Sequence, residues 1–119
     1  MSYALVFVGG GAGAVLRFAI GRWAVAAGWA ATWGTLVANV LACALLGYLA
    51  VEFERGWGPS PRGRLLLATG FCGGFSTFST FGLEAVALLQ AGRVGEAAAY
   101  VGSSLVLGLG VIALLLARA

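Results

Sequence analysis

Apolar residues run along this chain in four blocks separated by short polar connections. No charged residue occurs between Ala30 and Val51, between Leu65 and Leu83, or between Ala97 and Ala117. Each stretch is close to the ~20 residues that carry a helix across ~30 Å of hydrocarbon. The first block, from Tyr3 to about Trp23, holds one internal charge, Arg17, and ends at Arg22. The pattern predicts an all-α integral membrane protein whose single domain covers 1–119. Its four transmembrane helices are expected over 3–23, 32–52, 63–90 and 95–117, with the third broken near 73–77. Connections of roughly ten residues leave little chain for a soluble domain. A cleaved leader fits the first block poorly, because it lacks a basic start and Gly9-Gly10-Gly11 interrupts its apolar run.

Within the spans, small residues recur at four-residue steps. Gly9 with Gly13, Gly10 with Ala14, and Ser104 with Gly108 form small-xxx-small faces that let helix backbones approach closely in lipid. Trp23, Trp29 and Trp33 surround the first connection, as an interfacial aromatic belt does. The 52–64 connection, with Glu52, Glu54, Gly58-Pro59 and Pro61, reads as a hydrophilic turn-rich loop.

The third block departs from an ordinary span. Gly73-Gly74 is followed by Ser76, Thr77, Ser79 and Thr80, four hydroxyl residues in five positions. Glycine and β-branched threonine weaken a helix, and hydroxyls compete for its backbone. Irregular backbone at membrane depth survives only inside protein or beside a watery cavity, where its freed polar groups bind ions. Phe75, Phe78 and Phe81 recur every third residue and alternate with these hydroxyls, so the segment lines something polar on at least one side.

Two further polar groups lie inside spans. Asn39 is an amide in the middle of the second block, costly in hydrocarbon unless it bonds something. It either staples two helices or presents its NH₂ to a permeating anion. Tyr100 and Ser104, one turn apart on the fourth helix, form a weak polar track. Glu84 either pairs with an arginine near the interface or bonds backbone.

Composition narrows the classes. Only 9% of the 119 residues are charged against 61% hydrophobic, with a mean hydropathy of +1.01. A soluble domain carries about 25% charge, so lipid must cover much of this surface. The net charge of +3 comes from arginines alone, placed near span ends where they snorkel to headgroups; no basic stripe for nucleic acid is present. Cys43 and Cys72 both fall inside spans and read as small buried apolar residues. Arg55, Arg62, Arg64 and Arg118 share one side, while Arg22 and Arg93 occupy the other with Arg17 approaching it. That weak bias permits insertion in both orientations, and hence an antiparallel homodimer.

With no histidine, no paired intramembrane carboxylates and no nucleophile-elbow, zinc or phosphate-loop pattern, the inventory argues against an enzyme. What remains is an amide, hydroxyls, a broken backbone and phenyl rings, whose edges are positive. Uncharged donors suit a small, strongly hydrated anion that must be held weakly enough to leave. Arg17, nearer a mouth, raises the local anion concentration. The residues alone indicate a small-ion pore or transporter.

The string Gly70-Phe71-Cys72-Gly73-Gly74-Phe75-Ser76-Thr77-Phe78-Ser79-Thr80-Phe81 resembles the central motif of the Fluc/CrcB fluoride channels. Gly9-Gly10-Gly11-Ala12-Gly13-Ala14-Val15-Leu16-Arg17-Phe18 and Gly34-Thr35-Leu36-Val37-Ala38-Asn39 resemble that family's first- and second-helix motifs. The resemblance implies a fluoride-selective channel for passive efflux across the bacterial inner membrane, built as an antiparallel, dual-topology homodimer with two pathways. It implies a structural sodium ion at the dimer centre, held by the main-chain carbonyls of Gly73 and Ser76 from each subunit. It assigns Asn39, Phe78, Phe81, Ser79, Thr80, Ser104 and Tyr100 to the fluoride pathway, with Arg17 in the vestibule. Ser76 stands where the family often has Thr, and Phe75 where Leu is more usual. The rivals are a small multidrug-type proton antiporter, which needs a first-helix carboxylate that this chain lacks, and a structural membrane subunit.

Overall fold

The computed structural model describes residues 1–56 and 58–118. Among them are helices joined by turns, bends and short irregular links, with no strand. Helix α1 spans Ser2–Ala26 and α2 spans Ala31–Glu54. Helix α3 (61–75) begins as Pro61–Arg64, widens into a π-helical stretch over Leu65–Cys72, and closes with Gly73–Phe75. Helix α4 covers Ser79–Gln90 and α5 covers Val94–Ala117. Four helical segments, counting Pro61–Gln90 as one, are long and apolar enough to cross a membrane.

Local signals explain the ends. Gly28 and Gly92 adopt φ of +85° and +78° just past α1 and α4, the left-handed position at which glycine closes a helix without steric cost. There the Trp29 N–H reaches back to Ala24 O and the Arg93 N–H to Leu88 O, each at 2.9 Å. Ser60 opens α3: its Oγ accepts from the Gly63 N–H at 3.2 Å, with Pro61 pre-set in the first turn.

Small residues bring the helices together. A Cβ on Gly9 would lie 2.9 Å from the Phe71 nitrogen, and one on Gly13 2.7 Å from the Phe75 nitrogen, so α1 packs backbone to backbone on α3. Gly34 approaches Gly21 as closely, joining α2 to α1. Ala38, Ala42 and Phe75 form one buried cluster with Leu16, Ile20 and Phe71 around it. Leu36, Ala85 and Tyr100 form a second, flanked by Phe81 and Val101. Large apolar side chains such as Phe7, Phe18, Val106 and Leu109 stand exposed on the outside, a surface that lipid solvates and water does not.

Sequence pattern placed the break near 73–77; in the structure both glycines stay helical and the interruption covers 76–78. Gly74 is held in the helix by its close fit against the Gly10 backbone. The chain turns extended only at Ser76, with ψ of 158°.

Candidate ion pathway

A broken helix leaves orphan carbonyls at the end of one half and orphan amides at the start of the next. In lipid each must find a partner. The Ser76 backbone N–H and its Oγ both donate to Cys72 O, at 3.0 Å each. The Arg17 Nε donates to Gly74 O at 3.3 Å, placing a cation at the negative end of α3. Thr77 is clamped from α2: its N–H donates to Asn39 Oδ1 at 2.7 Å, and Asn39 Nδ2 donates to Thr77 O at 3.1 Å. The Thr77 Oγ1 then accepts from the Thr80 N–H at 3.2 Å and caps α4. None of these bonds ends on the Gly73 or Ser76 carbonyl.

This arrangement makes Thr77 the residue that restarts the helix. Thr77→Val, which keeps the shape and removes the hydroxyl, is expected to cost about 1 kcal/mol of stability. A denaturant titration of the detergent-solubilised protein measures it; an unchanged midpoint would remove the cap from the account.

Beside the break lies a cavity of about 250 Å³ lined by Asn39, Cys43, Ser76, Phe78, Phe81 and Ser104. The Phe78 and Phe81 ring centroids are 5.9 Å apart, and Phe81 is 5.2 Å from Tyr100, all in tilted contact. The Ser104 Oγ is buried with no hydrogen-bond partner. An unpaired buried hydroxyl costs free energy, roughly 1–3 kcal/mol. The site therefore has room, two phenyl rings and an unspent donor. Asn39 commits its oxygen and one N–H to Thr77, and one amide N–H is left over.

A wider cavity of about 520 Å³ carries Arg17, Arg22, Thr35, Thr80 and Glu84 on its wall. Glu84 accepts a hydrogen bond from the Tyr100 hydroxyl at 3.0 Å, neither of the partners that the sequence offered for it. A third cavity, of about 430 Å³, runs along α2 and α3 past Arg64, Thr69 and Gly73.

The structure thus groups Asn39, Phe78, Phe81 and Ser104 around one space, and places Thr80 with Arg17 around another. Tyr100 bridges them through its ring contact with Phe81 and its bond to Glu84. Ser79 is exposed, lies on none of these three walls, and faces Thr77 Oγ1 at 3.5 Å. Sequence reasoning passed over Thr77 and the buried Thr35. A threonine two residues ahead of a restarting helix, its hydroxyl three positions before the Thr80 N–H, was a readable cap signal for the first. Nothing local marked the second.

Residues 4–116 match the family described as "CrcB-like protein, Camphor Resistance (CrcB)". The chain belongs to the CrcB family. Among curated CrcB relatives, a "Fluoride-specific ion channel FluC" of Rhizobium etli is 42% identical, over 91% of this chain and 87% of its own. A protein of the same description from Novosphingobium aromaticivorans is 48% identical over 88% and 85%. One from Marinobacter nauticus is 44% identical over 95% and 94%. Membership of CrcB and four membrane-length helical segments together make this a multi-pass membrane protein.

Proposed function

We propose that the chain is a fluoride-selective channel that lets the anion leave the cytoplasm passively through the inner membrane. The observation that carries this reading is the orphan Ser104 hydroxyl on a wall shared with Phe78, Phe81 and Asn39. Fluoride is a strong acceptor, and its lost water must be replaced by several donors at once. Here one hydroxyl, one amide N–H and ring-edge C–H groups converge without a full charge in the narrow region. That combination replaces hydration while leaving each site weak enough to empty. Arg17 and Arg22 in the wide cavity draw the anion in without meeting it at the narrowest point. No catalytic constellation is needed for such a leak.

The working form we propose is an antiparallel homodimer with two pathways. Phe78 is 83% exposed in the single chain, although its ring faces the candidate path. A second copy would cover it. Gly73 is likewise exposed, with nothing within 4 Å of where a Cβ would stand. The Gly73 and Ser76 carbonyls are hard oxygen donors at a helix break, the kind that coordinates sodium, and they would hold that ion between two subunits.

Reconstituted liposomes test the reading. Voltage-driven fluoride efflux with negligible chloride efflux is expected; silence to fluoride, or proton-coupled exchange of organic cations, would refute it. Within that assay Phe78→Ala and Phe81→Ala should each slow efflux by roughly tenfold, the ~1.4 kcal/mol worth of one weak contact. Ser104→Ala should do the same, and Ser104→Thr should retain most of the rate. Normal rates in the alanine variants would take those groups off the path.

A further inference from the structure

Along one face of α1, Gly9, Gly13 and Arg17 follow at four-residue steps. The two glycines are buried against α3, Gly9 beside Phe71 and Gly13 beside Phe75. One turn further α3 has ended, because Ser76 is extended. There the face has room for a long side chain. Arg17 fills it, half-buried, with its Nε reaching back to Gly74 O at 3.3 Å.

The carbonyl that Arg17 takes is one that the break deprived of its donor. In an unbroken α-helix each C=O accepts from the N–H four residues on. Gly73 O would then pair with Thr77, and Gly74 O with Phe78. Neither bond is present. The Thr77 N–H goes to Asn39 Oδ1 at 2.7 Å, and the Phe78 N–H meets no acceptor among the described residues. The helix is thus kept open from two sides: α2 removes one donor, and α1 satisfies one acceptor. Closure would turn the Phe78 backbone, and with it a ring that lines the ring-lined cavity.

We infer that Arg17 is a positioning residue for Phe78: its Nε–H stands in for the Phe78 N–H on Gly74 O and so holds that ring at the path. The inference rests on the channel reading above. It is separate from the charge of Arg17, which acts at a distance on an anion in the wide cavity. Without the Nε–H, Gly74 O would be an unpaired carbonyl within a span, which is costly in lipid. The nearest free donor is the Phe78 N–H, and recovering it draws the ring off the wall.

Two substitutions separate the bond from the charge. Glutamine puts a neutral N–H donor where the arginine Nε stands, whereas lysine keeps the charge and puts a methylene there. Fluoride efflux is compared in liposomes at low salt and at about 1 M salt, where the Debye length is about 3 Å and attraction to the mouth is screened. Arg17→Lys should be slowed roughly tenfold at both salts, the worth of one weak contact. Arg17→Gln should be slowed at low salt and recover to within about twofold of wild type at high salt. Arg22 lines the same cavity, its guanidinium 5.8 Å from the Phe18 ring centroid, and serves as the charge control. Arg22→Gln should follow Arg17→Gln.

In a Phe78→Ala background Arg17→Lys should cost nothing further, because the ring that it positions is gone. A second tenfold loss there would overturn the inference, as would Arg17→Lys rates equal to or above those of Arg17→Gln at high salt. A wild-type chain that carries no fluoride refutes the channel reading instead. Hydrogen exchange at the Phe78 amide then tests the Arg17 bond by itself. It should slow in Arg17→Lys, where that N–H returns to Gly74 O, and stay at the wild-type rate in Arg17→Gln; the same exchange in both variants would overturn the bond's role.

Discussion

Asn39→Asp is expected to suppress fluoride efflux from liposomes by about a thousandfold, the largest effect of any single substitution in the pathway. Two losses combine. The introduced carboxylate would keep an acceptor for the Thr77 N–H, but its second oxygen would face Thr77 O, where Asn39 Nδ2 now donates at 3.1 Å. Acceptor would meet acceptor, and the clamp on the break would open. The carboxylate would also put a negative charge on the wall of the ring-lined cavity. At 4 Å and an effective dielectric of 20, like charges repel by roughly 4 kcal/mol, which is about a thousandfold in rate. Asn39→Ala separates the two terms: it loses the clamp without adding a charge, and its efflux should fall between wild type and Asn39→Asp. Unaltered efflux in Asn39→Asp would remove Asn39 from the path altogether.

Gly74→Val should prevent the chain from folding rather than slow an otherwise intact channel. A Cβ on Gly74 would stand 2.8 Å from Gly10 Cα, so backbone on α1 and backbone on α3 leave no space for it. Backbone does not yield as a flexible side chain does. The cost is expected at roughly 3 kcal/mol or more, at the upper end of overpacking effects. Size-exclusion chromatography in mild detergent should show aggregate or no protein. Gly102→Ala is the matched control, because nothing lies within 4 Å of its added Cβ. There alanine should stabilise the helix by about 1 kcal/mol. A monodisperse Gly74→Val protein with normal thermal stability would mean that α1 and α3 do not rely on this contact.

The clamp and the glycine contact show how differently the two were legible. Glycines at four-residue steps on α1 announce a close approach, because only small residues permit one. Their partner on α3 could not be read, since a small-residue face is complementary to any other. Asn39 announced that it must bond something, and the choice between a staple and a donor to an ion stayed open. The structure commits its oxygen and one N–H to Thr77, 38 positions along the chain. Glu84 was ambiguous for the same reason: a carboxylate advertises its need for a donor without naming Tyr100. The break was expected near 73–77, because two glycines followed by four hydroxyl residues weaken a helix and compete for its backbone. In the structure Gly73 and Gly74 remain helical, and the capping Thr77 and the Asn39 clamp mark where the helix stops.

The amino-acid order alone determined the four spans, the scarcity of charge and the stock of uncharged donors. The physical reason is that a bilayer acts on each span separately: crossing hydrocarbon requires an uninterrupted apolar length with its backbone bonded internally. Tertiary structure decided where the third span breaks, which helix holds it open, and which polar groups share a cavity. Those features depend on residues far apart in sequence coming within about 3 Å of one another, the range at which hydrogen bonds act. No periodicity along one helix encodes the identity of a group on another.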